Sequence, residues 1–204
     1  KAKDLIRDFR EALTNLGFWQ ITLVICLIFG GYIAFLSGTS VLFVVEFGMS
    51  KAVFPFIQAA ILGGWVAGSL GLKRAIGRFG ILNIKKSGIA LCVLGAVILG
   101  LTTLLTPRDG YLLTLGMVFY AFGANWIIGL YFPEGMEILP HIKGITASLL
   151  TSARLLIAAL IVGLTSALYN GTVCPLSITV IGTVVIFLPT LLFYERRRVI
   201  NSAT

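Results

Sequence analysis

The chain has 204 residues, of which 58% are hydrophobic and 12% are charged; its mean hydropathy is +1.01 and its net charge +8. Soluble domains carry about 25% charged residues, so the composition excludes an ordinary soluble protein and indicates a polytopic membrane protein. The basic residues gather in alternate loops, which is typical of membrane orientation and not of a nucleic-acid-binding surface.

Residues 1–16 predict an amphipathic helix that is too polar to span a membrane. Its apolar face consists of Leu5, Ile6, Phe9 and Leu13, with charged residues around the rest of the helix. Such a helix lies in the membrane interface or connects two membrane domains.

Residues 17–195 contain six apolar blocks, each long enough to cross a bilayer core of about 30 Å as a helix. The predicted spans are residues 18–45, 52–72, 87–105, 111–132, 145–169 and 175–194. Within the second span, Gly64, Gly68 and Gly71 favour close packing against another helix. Residues 196–204 form a short basic tail.

The positions of Lys and Arg predict the orientation of these spans. Thirteen of them fall on the side that holds both chain ends, two fall on the opposite side, and Arg154 lies inside a span. Because basic residues are retained on the cytoplasmic side, we expect both termini to be cytoplasmic.

Large polar side chains are unevenly distributed among the spans. Spans three and six carry no charged or amide side chain, whereas spans one, two, four and five carry Tyr32, Gln58, Asn125 with Trp126, and Arg154. We therefore expect those four spans to line a shared polar face and spans three and six to face lipid. The period of three predicts two three-helix repeats of inverted topology.

Arg154 is the most informative single residue. It lies about ten residues into the fifth span, where a permanently charged guanidinium costs at least a few kcal/mol unless it faces protein, water or a counter-charge. Ala147, Thr151, Ala158 and Thr165 share its side of the helix. Two interpretations stay open: Arg154 lines a substrate or ion pathway, or it pins two helices together or snorkels to the membrane interface.

Two segments resemble the major facilitator superfamily. Residues 139–154, LPHIKGITASLLTSAR, are similar to the entry into the eleventh helix of drug:proton antiporters of the bicyclomycin- and chloramphenicol-resistance type. Residues 70–88 are similar to the basic turn between helices eight and nine of that family, although they lack the acidic residue of the superfamily's loop signature. Residues 133–137, PEGME, occupy the place of a family segment that also carries acidic residues.

This resemblance covers residues 16–198 and implies that the spans are helices seven to twelve, the C-terminal half of the fold. Residues 1–16 would then be the cytoplasmic linker helix between the two six-helix halves. The resemblance implies a multi-pass protein of the bacterial inner membrane that exports drugs or small amphipathic compounds in exchange for protons. The partner would be the N-terminal six-helix half, expected on an earlier part of the same translation product, or a second copy in a homodimer. Two other interpretations stay open: a structural six-helix module without transport of its own, and an exporter of one metabolite such as a siderophore.

The candidate site residues follow from these expectations. The pathway candidates are Tyr32, Gln58, Asn125, Trp126 and Arg154. The gating or salt-bridge candidates are Glu46, Glu134, Glu137, Arg74 and Arg78. For Glu134 and Glu137 we expect a solvated loop or a salt bridge to the basic segment 73–86, and for Glu46 an ordinary interfacial position is the alternative. With one histidine, no nucleophile–base pair and no metal-ligand cluster in the sequence, we expect neither an enzyme nor a cofactor or metal site.

Overall fold

Seven α-helices make up the described part of the chain, and six of them are long and apolar enough to cross a membrane. The computed structural model describes residues 2–203 and, of these, the side chains of residues 7–197. The predicted all-α fold with six helices able to span a membrane is confirmed. In chain order, the helices are α1 Ala2–Thr14, α2 Leu16–Ser40, α3 Phe54–Phe79, α4 Ile81–Leu105, α5 Gly110–Glu137, α6 Lys143–Ala167 and α7 Cys174–Ala203.

The basic segment 73–86, predicted as a loop, is helical. α3 continues to Phe79 instead of ending near residue 72, and α4 begins at Ile81. Gly80 alone separates them, with φ at +79°, a conformation that glycine adopts without the steric cost of a side chain. The two helices are therefore joined by a single residue.

The first span ends close to its predicted position, since α2 is followed by a π-helical turn, Val41–Glu46. Two other helices extend beyond their predicted spans. α5 passes through Pro133 to Glu137, and α7 continues through the predicted basic tail. Hydropathy marks where apolar residues end, but backbone hydrogen bonding carries each helix further into polar sequence.

Two helices form the centre of the bundle. α2 and α5 lie side by side and are mostly buried, whereas α3 and α6 are mostly exposed. α5 packs along α3 and α4, α2 packs along α6 and α7, and α4 touches α7. α3 and α6 thus flank the central pair, each on a different partner helix.

Glycines allow α4 and α5 to approach at backbone distance. A Cβ on Gly95 would lie 2.5 Å from the carbonyl oxygen of Gly116, and one on Gly123 would lie 2.6 Å from the carbonyl oxygen of Gly88. Real Cβ atoms do not approach backbone so closely, so any side chain here would force the helices apart.

The predicted glycine pattern of the second span serves the contact of α3 with α5. A Cβ on Gly64 would lie 2.8 Å from the carbonyl oxygen of Val118, and one on Gly68 would lie 3.0 Å from that of Phe122. Gly71 faces open space, so its predicted part in close packing was wrong.

α1 is attached to the turn that precedes α6. Ala12 is fully buried against Leu139 and Ile142, and the Glu11 carboxylate lies 3.2 Å from His141 Nε2. The predicted apolar face falls partly on Leu5 and Ile6, whose side chains lie outside those described. Among the described side chains, α1 is anchored near its C-terminal end by Glu11 and Ala12.

Candidate functional site

Arg154 lies in a cluster of aromatic rings. Its guanidinium carbon is 4.7 Å from the ring centre of Phe29 and 5.9 Å from that of Phe132. Phe29 contacts the edge of Trp65 at 6.2 Å, and Trp65 stacks on Tyr32 at 4.7 Å. These five residues are called the arginine–aromatic cluster below.

The cluster joins four helices. Phe29 and Tyr32 belong to α2, Trp65 to α3, Phe132 to α5 and Arg154 to α6. Phe29, Trp65 and Arg154 each lie near the midpoint of their helix, where a charge is most costly in a bilayer. The predicted pathway residues Tyr32 and Arg154 are therefore linked through Phe29 and Trp65.

The charge of Arg154 has no counter-ion among the described side chains. Its side chain forms neither an ion pair nor a hydrogen bond with a described residue, and its Nε is buried without a partner. The rings of Phe29 and Phe132 attract the cation through their π-faces, but they offer no acceptor for its N–H groups. The guanidinium therefore retains its capacity to donate hydrogen bonds.

The indole of Trp126 is hydrogen-bonded to the backbone of α3. Its Nε1 donates a hydrogen bond of 3.0 Å to the carbonyl oxygen of Gly68, and its ring contacts Phe122 at 4.8 Å. Asn125 is half-buried beside the same glycine, where a Cβ on Gly68 would lie 3.2 Å from Asn125 Cβ. Both residues border the contact of α3 with α5.

Replacing Trp126 with Phe is expected to lower the free energy of unfolding by about 1 kcal/mol, because it removes one part-buried hydrogen bond and little apolar surface. Unfolding of the purified chain in detergent, followed by circular dichroism, measures the change. Trp19→Phe is the matched control, since the indole of Trp19 bonds the Leu13 carbonyl at an exposed position. Equal losses in both variants would contradict the structural role assigned to Trp126.

Gln58 is not brought into the arginine–aromatic cluster. It lies seven residues before Trp65 on α3, about 10 Å along the helix axis, and it is half-buried. Its place in a pathway stays a prediction.

Glu46, Arg74 and Arg78 are peripheral. Glu46 is exposed at the end of the π-helical turn and lines a cavity of about 190 Å³ together with Arg108. Arg78 lies 5.4 Å from the ring of its neighbour Phe79. None of these three charges forms an ion pair with a described residue, and their gating roles stay predictions.

The two carboxylates past Pro133 have different partners. Glu137 is exposed and accepts a hydrogen bond from Lys143 at the start of α6. Glu134 is part-buried and bonds Lys85, a member of the basic segment 73–86. Neither carboxylate bonds Arg74 or Arg78.

Lys85 is the centre of a second cluster. A salt bridge from Glu134 to the basic segment 73–86 was expected from the sequence, and Lys85 forms it, but the part of Glu195 was not expected. Lys85 is only 4% exposed, and its Nζ donates to Glu134 Oε2 at 2.8 Å and to Glu195 Oε1 at 2.7 Å. Tyr131 Oη donates to Glu195 at 2.6 Å, and Tyr194 Oη donates to Glu134 at 3.0 Å. This lysine cluster ties together the beginning of α4, the end of α5 and the C-terminal part of α7.

The sequence held a weak signal for the lysine cluster. Lys85 precedes a long apolar block, and Glu195 is the one acidic residue next to the basic run 196–198. Their meeting depends on the packing of α4 against α7, which brings together residues 110 positions apart. Local pattern does not contain that information.

The chain offers no metal site among the residues that the structure describes, since no three His, Cys, Asp or Glu side chains lie close enough to share an ion. No protein-family model and no curated protein sequence matches the chain. The candidate site that the geometry favours most is the arginine–aromatic cluster, at the junction of α2, α3, α5 and α6.

Proposed function

We propose that the chain is the C-terminal six-helix half of a proton-driven secondary transporter, which exports drugs or small amphipathic compounds by alternating access. One observation carries the proposal: a guanidinium without a counter-ion among the described side chains lies beside aromatic rings near the middle of membrane-length helices. A charge is retained at such a depth where it lines a polar pathway or binds a ligand.

The arrangement of helices supports the same proposal. If α2, α3 and α4 exchange places with α5, α6 and α7, the pair α3–α5 becomes the pair α6–α2. In the same way, the pair α4–α5 becomes the pair α7–α2. All four of these helix pairs are in contact. Inverted three-helix repeats would produce this relation. In such folds the substrate binds near mid-membrane, between two halves that rock about it.

The test is proton-linked transport into inverted membrane vesicles, with one cationic, one neutral and one anionic fluorescent amphipath as probes. Three preparations are compared: this chain alone, the chain with the six-helix partner half, and that pair carrying Arg154→Ala. We expect only the intact pair to accumulate a probe, and accumulation to disappear when a protonophore collapses the gradient. Arg154→Ala is expected to reduce the rate at least tenfold, about the cost of losing one charged ligand contact.

Arg10→Ala is the matched control, because Arg10 is exposed on α1, away from the bundle centre. Transport by the chain alone would show a symmetric dimer and contradict the partner assignment. Failure of all preparations to accumulate any probe would reject transport in favour of a structural module. An unchanged rate in Arg154→Ala would assign the arginine to packing.

A further inference from the structure

The chain cannot neutralise Arg154 with its own described side chains. It contains eight Asp and Glu residues, and those whose side chains are described lie on α1 or at the ends of the long helices. None of these carboxylates lies within ion-pair distance of Arg154. An anion that pairs with Arg154 must therefore come from outside this set.

The donor group at Arg154 is suited to a planar anion. A guanidinium presents several N–H groups in one plane, and it binds carboxylates through two parallel hydrogen bonds. The Nε of Arg154 is itself buried and has no acceptor among the described residues, so an anion from outside the chain would meet the terminal N–H groups of this half-buried side chain.

The surroundings of this donor are aromatic. Phe29 and Phe132 flank the guanidinium, and Trp65 continues the aromatic surface from Phe29 onto α3. All three rings are half-buried, so each keeps part of its surface uncovered by this chain. A flat apolar body with an acidic group at one end would place its acid at Arg154 and its rings along Phe29 and Trp65.

We infer that Arg154 is a specificity-determining residue for anionic aromatic substrates, small molecules that carry a carboxylate on an aromatic body. The inference rests on the transport function proposed above, and it names the class of compound carried. A carboxylate supplied by a partner half would neutralise the charge of Arg154, but it would not cover the exposed faces of the adjoining aromatic rings. The combination of charge and rings favours the substrate as the source of the anion.

The experiment compares two probes that differ only in charge. A naphthoate and the matching naphthamide are titrated, at neutral pH, against the purified chain together with its partner half in nanodiscs of zwitterionic phosphatidylcholine. Bound probe is measured by equilibrium dialysis. We expect the unmodified protein to bind the acid about tenfold more tightly than the amide, as for one charge-assisted hydrogen-bonded contact.

Three variants separate the charge from the fold. Arg154→Gln is expected to bring the two affinities within about twofold of each other while the affinity for the amide is retained. Arg154→Lys keeps the charge without the planar fork, and it is expected to restore part of the preference. Arg10→Gln, the matched control, is expected to keep the full preference.

Equal binding of acid and amide by the unmodified protein, or a preference that persists in Arg154→Gln, would overturn the inference. The vesicle assay separates this result from failure of the proposed function. If Arg154→Gln lowers transport of cationic, neutral and anionic probes by the same factor, the arginine pairs with a carboxylate of the partner half; the inference then fails and transport stands. If the acid preference depends on Arg154 but no preparation transports, anion recognition stands and the transport function fails.

Discussion

Replacing Lys85 with Met is expected to lower the free energy of unfolding by about 3 kcal/mol, because it removes the buried ammonium that both part-buried carboxylates share. Lys85 holds Glu134 and Glu195 at 2.8 and 2.7 Å, and its Nζ lies 4.1 Å from the ring centre of Tyr131. Methionine fills a similar volume but supplies no charge and no N–H donor. The loss is measured as the change in unfolding free energy of the purified chain in detergent.

Lys86→Met is the matched control for this prediction, because the neighbouring lysine is exposed and forms no ion pair with a described residue. The double variant Lys85→Met/Glu134→Gln tests the ion pair of Lys85 with Glu134 directly. Removing the carboxylate charge together with the ammonium should cost less than the sum of the two single changes, since the two side chains interact. If Lys85→Met and Lys86→Met unfold alike, the lysine cluster does not stabilise the helix ends.

Gly123→Ala is expected to have an effect of similar size, for a steric reason. The new Cβ would lie 2.6 Å from the carbonyl oxygen of Gly88 and 2.9 Å from the backbone nitrogen of Cys92. Backbone atoms cannot move aside as a flexible side chain can, so α4 must shift along its whole contact with α5. Overpacking of this kind costs about 1–3 kcal/mol, and we expect the upper end of that range.

The matched control is Gly163→Ala on α6, where an added Cβ would meet nothing within 4 Å. There the substitution should be neutral or stabilising by up to about 1 kcal/mol, because alanine is the better helix former. Gel filtration of the solubilised protein, followed by thermal unfolding, compares the two variants. Equal stability of both would mean that α4 and α5 are not packed at backbone distance.

The sequence predicted the number and approximate position of the long helices because each needs about 20 apolar residues to cross a bilayer. It did not predict the C-terminal ends of α3, α5 and α7, which lie beyond the predicted spans. Segment 73–86 is rich in charge, which suggested a loop, yet a helix end that projects beyond the apolar layer tolerates Lys and Arg. Pro133 suggested a stop, but proline within a membrane-length helix is tolerated where neighbouring groups compensate for the missing hydrogen bond.

For the candidate site, too, the sequence predicted the central residue but not its neighbours. Arg154 stands out in the sequence because a charge among apolar residues is costly wherever the fold places it. Its neighbours Phe29 and Phe132 do not stand out, since phenylalanine is ordinary in such helices. The same applies to Lys85, whose environment is set by α7, a helix that begins 89 residues later in the chain.

The single-residue joint at Gly80 has a mechanical consequence for the whole bundle. Since α3 and α4 share that joint, and Lys85 fixes the beginning of α4 to α5 and α7, a tilt of α3 has its pivot at Gly80. Displacement then grows with distance from the pivot: at 1.5 Å per residue, a tilt of about 10° moves Trp65 by roughly 4 Å and Gln58 by roughly 6 Å. Such a tilt would separate Trp65 from Phe29 and Tyr32 and leave the lysine cluster in place, because that cluster contains no residue of α3.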